Sequence, residues 1–400
     1  MPSTRTCPSC GANALAPARA PLTALPAVTF SLALVASIVA LYRVALGDLG
    51  AVAYAVLAAA LASFIPARVP TCAACRMRVV ALPPPLSPDP PRGLKVAASQ
   101  PAFTLFLVCL MLFLSLGTVA QVANVEWGLW YSEVFLFLAP ALLFARLAGL
   151  DARRFVRWEW PGALVLVAAA LVAVGNFPLV NLVVVLSHKG FDAAGLSWLV
   201  EKSNVAVKLL EQLGGARAAI AVSAVSLAAP LGEETLFRGF MLTTLRARYG
   251  TAWAIAIVAV LFAALHLDLV NFLGLAELAV VFALLSLRAR SLWAAVVAHG
   301  VHNFASSVVL YTTSEPDKDP PLAEAFAWAL AGAACVAVGV WLFRLATRER
   351  ASRPPEPVRP LASPAKGWTA VAAVVALGIA CLGLLVWKFD ALASLSRLAR

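Results

Sequence analysis

The sequence predicts an all-α protein: a polytopic bundle of about eleven transmembrane helices, give or take one, with a small four-cysteine element at its N-terminal end. Three observations predict it. First, 62% of the 400 residues are hydrophobic and 13% charged, and the mean hydropathy is +0.89. An ordinary globular domain is roughly 45–50% apolar. Second, apolar runs of about bilayer-spanning length recur along the whole chain. Third, the basic residues behind the formal net charge of +11 sit in short loops between those runs. That distribution reads as membrane topology and excludes a nucleic-acid-binding face. The same composition excludes disorder, which needs low hydrophobicity.

In chain order the runs lie near 24–43, 50–66, 101–123, 129–149, 160–187, 217–243, 251–267, 269–287, 291–312, 322–345 and 367–387. The first follows a 23-residue head without a small-residue cleavage site, so it is expected to be a retained helix and not a signal peptide. Arg68, Arg76, Arg78, Arg92 and Lys95 fall on one side with Arg153, Arg154, Arg157, Arg246, Arg248, Arg288, Arg290, Arg344, Arg348, Arg350 and Arg353. The positive-inside rule puts that side, and the N-terminus, in the cytoplasm. The acidic loop from Ser314 to Asp319 then lies outside, and an odd span count leaves the C-terminus outside too.

Two proline-rich segments, Pro83 to Pro91 and Arg353 to Pro360, cannot pack as helices and act as extended spacers. They divide the chain into a cysteine-bearing head with a two-helix membrane hairpin (1–82), a linker (83–95), a membrane body (96–350), a second linker (351–366) and a last single helix (367–400). The segment 188–216 is amphipathic and fits either a solvated loop or a stretch lying on the outer membrane surface.

Cys7 with Cys10 and Cys72 with Cys75 form two CxxC pairs, each able to present two thiolates to one metal. The 61 residues between the pairs are far more than a zinc ribbon uses, but an excursion through two membrane helices returns the chain to the side it left. In a reducing cytoplasm, a four-cysteine structural zinc site is then chemically sensible and a disulfide is not. Cys109, Cys335 and Cys381 stand singly in apolar runs and read as packing residues.

Ionisable groups at membrane depth are costly and usually functional. Here they concentrate in three strings: Glu233-Glu234-Thr-Leu-Phe-Arg238, Phe262-Ala-Ala-Leu-His266 and His299-Gly-Val-His302-Asn303. These hold three of the chain's four histidines. Glu234 and Arg238, four apart on one helix, can neutralise one another, whereas Glu233 points about 100° away and stays available for chemistry. A buried carboxylate without a cation suits a general base that takes a proton from water. His299 and Asn303 lie one turn apart and offer hydrogen-bond donors to an oxyanion. Counted from the cytoplasmic ends, His299, Glu233 and His266 lie about 12–22 Å deep at 1.5 Å per residue. His302 fits a helix–helix hydrogen bond. The residues alone leave two readings open, a hydrolytic site and a proton or ion path.

Three motifs in this order, each in its own apolar helix, resemble the CPBP family of intramembrane proteases, which includes the CAAX prenyl endopeptidases. The similar region is about 215–312. The resemblance implies hydrolysis of a peptide bond of a membrane-associated protein or peptide. By motif position Glu233 would activate water, His266 position it, His299 and Asn303 stabilise the oxyanion, and Glu234 with Arg238 support the site. It leaves open whether catalysis is metal-dependent. A catalytic zinc would use Glu233, His266 and His299 with one open position, but His-Glu-x-x-His is lacking. The metal-independent route is preferred, because those ligands are spread over three helices. The family also holds scaffolding and immunity proteins, so a non-proteolytic scaffold and an ion-coupled transporter stand as alternatives. The alanine-rich composition and cysteine head suggest a bacterial plasma membrane.

Overall fold

The computed structural model describes residues 101–352 apart from 202, 204–207, 209 and 314–318, together with the backbone of 94–96, 99–100 and 358–360 and the helical residues 368–369 and 371–376. The four-cysteine head and the runs at 24–43 and 50–66 lie outside the described residues, as does most of 367–387.

Seven helices among the described residues are long and apolar enough to cross a bilayer. They are α1 (Pro101–Ala123), α2 (Val125–Leu147), α3 (Ala163–Ala193), α4 (Gly215–Ala247), α6 (Phe272–Ala289), α7 (Trp293–Thr312) and α8 (Leu322–Ala346). Between α4 and α6 runs α5 (Thr251–Leu265), of 15 residues. The chain is thus a multi-pass membrane protein. One two-stranded parallel ladder departs from the all-helical expectation: β1 (Leu94–Val96) pairs with β2 (Val358–Pro360), Lys95 opposite Arg359. The two proline-rich linkers therefore end side by side. Beyond the second one, Val371 and Val374 are buried in the core built by Phe106, Phe144, Phe237 and Phe240.

Local chemistry sets the breaks. Asn124 is extended (φ −161°, ψ 114°), which stops α1, and its side-chain oxygen accepts the Trp127 N–H at 3.0 Å to cap α2. At the ends rich in arginine, Leu292 N–H donates to Arg157 O (2.9 Å), Ser291 Oγ to Glu159 O and Arg350 Nη2 to Trp160 O (2.9 Å). Arg157 and Arg290 are held left-handed at φ 60° and 50° to make these turns.

The 251–267 run was expected to be a full span, but α5 rises only about 22 Å at 1.5 Å per residue, less than the roughly 30 Å hydrocarbon core. It stops because Leu267 turns left-handed (φ 52°) and Asp268 accepts the backbone N–H groups of Val270 and Asn271 at 3.1 and 3.0 Å, starting α6. His266 is thereby delivered on a turn, not a helix face.

Helix α8 packs along α3 at backbone contact. A Cβ on Gly332 would lie 2.5 Å from both Gly175 O and Pro178 Cγ, and one on Gly175 would lie 2.7 Å from Val336 N. Small residues let membrane helices approach in this way. Gly332→Val is therefore expected to cost about 1–3 kcal/mol by overpacking. It should lower the thermal midpoint in detergent. Gly190→Ala, whose added Cβ meets nothing within 4 Å, should leave it in place.

Candidate active site

The site is built where α4 meets α5, α6 and α7. Four π-helical turns interrupt the described helices: Phe113–Gly117 in α1, Ser132–Leu138 in α2, and Ala224–Ala228 and Thr235–Met241 in α4. Such turns often mark functional positions. The last two flank Glu233 and Glu234.

Glu234 and Arg238 are fully buried, and Arg238 Nη1 donates to Glu234 Oε1 at 2.7 Å. Arg238 Nη2 donates to Ala279 O (3.1 Å) on α6. Its guanidinium carbon lies 4.5 Å from the Phe262 ring centroid and 5.4 Å from that of Phe282. A desolvated cation gains from such ring faces. The neighbouring turn is held by the segment between α2 and α3, where Arg157 Nη2 donates to the Arg238 carbonyl at 2.6 Å.

His299 Nδ1 lies 3.0 Å from the same Glu234 Oε1, and its ring stacks on Phe282 at 5.0 Å. A carboxylate only accepts, so an ionised Glu234 makes Nδ1 the protonated nitrogen and leaves Nε2 facing away. His266 Nδ1 donates to Phe262 O at 2.9 Å, which leaves the Nε2 lone pair free to accept. The Phe262 ring stands 4.9 Å from the His266 ring and 5.9 Å from the His299 ring, so it separates the two imidazoles. His266 is exposed, whereas Glu233 and His299 are buried.

The structure thus gathers Glu233, Glu234, Arg238 and His299, with His266 at the edge beyond Phe262. Asn303 is partly engaged: its Nδ2 donates to Val225 O at 2.7 Å, tying α7 to the π turn of α4 and committing one of its two amide hydrogens. His302 faces α3, its ring 5.4 Å from Phe177 and its Nδ1 without a hydrogen-bond partner. Among the described residues no three His, Cys, Asp or Glu side chains converge on a point that could hold a metal ion. Glu233, His266 and His299 therefore do not fit a single catalytic zinc here, and His299 Nδ1 is already engaged.

Two polar features lie outside the three motifs. Glu133 of α2 is buried against the start of the motif: a Cβ on Gly232 would lie 2.6 Å from Glu133 O and 3.0 Å from Glu133 Oε2. A single glutamate inside an apolar run was the available signal. Asn176 Nδ2 donates to Glu277 Oε2 at 3.0 Å, joining α3 to α6.

Fold and site together define a multi-pass membrane protein with a buried acid–base cluster between its helices. Residues 215–305 match the family model described as type II CAAX prenyl endopeptidase, Rce1-like. The matched stretch contains all three motifs and is consistent with the CPBP family. No curated protein and no solved structure matches the chain.

Proposed function

We propose that the protein is an intramembrane endopeptidase that hydrolyses a peptide bond of a membrane-associated protein or peptide, with Glu233 as the base. The observation that carries this reading is the division of labour between adjacent carboxylates. Glu234 is taken up by Arg238 and His299, while Glu233 Oε2 is buried without a hydrogen-bond partner. The match of residues 215–305 to a peptidase family supports the same class of reaction.

The chemistry follows from the free atoms. Glu233 takes one proton from water as the water oxygen bonds to the substrate carbonyl carbon, and His266 Nε2 accepts a hydrogen bond from the second water hydrogen. The carbonyl oxygen gains charge, which His299 in its protonated form, or the uncommitted Asn303 amide hydrogen, can meet. The C–N bond then breaks, and the proton on Glu233 passes to the leaving amine. A metal is not needed for these steps. Purified protein in proteoliposomes should cleave a membrane-anchored reporter peptide, whereas Glu233→Gln should not. Equal cleavage by both would remove this mechanism.

We place the arginine-rich face in the cytoplasm of a bacterial plasma membrane, which also puts the cysteine head there. On that reading Cys7, Cys10, Cys72 and Cys75 hold a structural zinc apart from the hydrolytic site. Purified protein should contain about one zinc per chain. Replacing Cys7 and Cys10 by serine should remove it and leave hydrolysis intact. Elemental analysis finding full zinc in the double variant would reverse that assignment.

A further inference from the structure

The α2 helix carries one carboxylate that the motifs do not include. Glu133 is only 6% exposed and Glu233 7%. Each has an Oε2 that is fully buried and lacks a hydrogen-bond partner. Each lies 14 residues before the arginine-rich end of its helix, at Leu147 and Ala247, or about 21 Å deep at 1.5 Å per residue. Gly232, the residue before Glu233, presses on both the Glu133 carbonyl and its carboxylate. Only glycine allows this approach, since a Cβ would overlap backbone. Glu133 and Glu233 therefore sit at the same depth on two helices that touch at Gly232.

We propose that Glu133 and Glu233 form a carboxyl pair that holds one proton between them, making Glu133 a positioning residue for Glu233.

Hydrogen bonding and charge give the reason. Two ionised carboxylates are acceptors only, so side by side in a dry interior they repel and leave both oxygens unsatisfied. A buried acceptor left unpaired is destabilising, because it has lost its water without gaining a donor. One proton turns one member into a donor and satisfies both oxygens with a single O–H···O bond, which is short and strong when one partner is charged. The surrounding charges leave room for that proton. Glu234 and Arg238 on α4 already neutralise each other, His299 on α7 is directed at Glu234, and His266 lies beyond Phe262. At the two ends of α2, Glu126 is paired with Arg217 and Arg146 lies in the last turn. No described cation is bonded to Glu133 or Glu233. The shared bond would fix the Glu233 carboxyl so that its other oxygen faces the water. That consequence rests on the proposed role of Glu233 as the base; the shared proton does not.

Infrared spectra of the purified protein in lipid test the pair whether or not the protein cleaves anything. At neutral pH the wild type should show a buried carboxylic-acid carbonyl band. Glu133→Gln should remove or shift it, and Glu233→Gln should shift the same band, because each change takes away the partner in the bond. Bands that respond independently, one lost with each variant while the other keeps its frequency, would overturn the pair. So would a wild type with no such band. If Glu133→Gln fails to fold, Glu233→Gln with Glu133→Asp gives the same decision, since the band must move in both.

Discussion

Glu233→Gln is expected to lower kcat/KM for peptide cleavage by about 10²–10⁴-fold, the usual contribution of a positioned general base. The amide is nearly isosteric with the carboxyl, so the packing of α4 against α2 should survive, but it has no basic oxygen with which to take a proton from water. The change leaves the bond from Arg238 to Glu234 and the approach of His299 to Glu234 in place. Loss of cleavage with an unchanged thermal midpoint is therefore the expected pair of results. A variant that cleaves at the wild-type rate would take Glu233 out of the mechanism, whatever its stability.

Arg238→Ala is expected to act differently, on folding as well as on activity. The guanidinium is fully buried, donates to Glu234 and to Ala279 O, and lies over the rings of Phe262 and Phe282. Removing one partner of a buried ion pair typically costs about 3–5 kcal/mol, because the other charge is left uncompensated. Here His299 would remain as the sole described partner of Glu234, and the carboxylate would compete with the reacting groups for its proton. The thermal midpoint in detergent should fall clearly below that of wild type. Arg238→Lys should recover only part of the loss, since an ammonium cannot reach both Glu234 and Ala279 with the same planar fork. A midpoint unchanged in Arg238→Ala would show that the pair contributes nothing to stability.

The proposed hydrolysis rests on an asymmetry between two neighbouring side chains. Glu233 and Glu234 are chemically identical, and one residue of helical rotation separates them. That rotation turns Glu234 toward Arg238 and the α7 histidine, and it leaves Glu233 Oε2 without a hydrogen-bond partner. The two carboxylates thereby acquire different surroundings without any difference in covalent structure.

What the sequence by itself determined is whatever lies within one helix. Apolar run lengths marked the seven spanning helices found among the described residues, because a helix in hydrocarbon must bond its own backbone over the full thickness. The spacing of Glu234 and Arg238 announced their ion pair, because residues four apart share a helix face. Only the tertiary structure decided relations between helices. The early end of α5 depends on the Asp268 side chain folding back on the turn after it. That His299 meets Glu234 and not Glu233, that Asn303 binds Val225, and that His302 faces Phe177 all follow from how α7 is rotated against α4 and α3. Glu133 joins the site from a helix a hundred residues upstream only because Gly232 lets α2 and α4 touch. Periodicity fixes the direction of a side chain about its own axis. Which neighbour that direction meets is set by crossing angle and register, and these come from the packing of all the helices together.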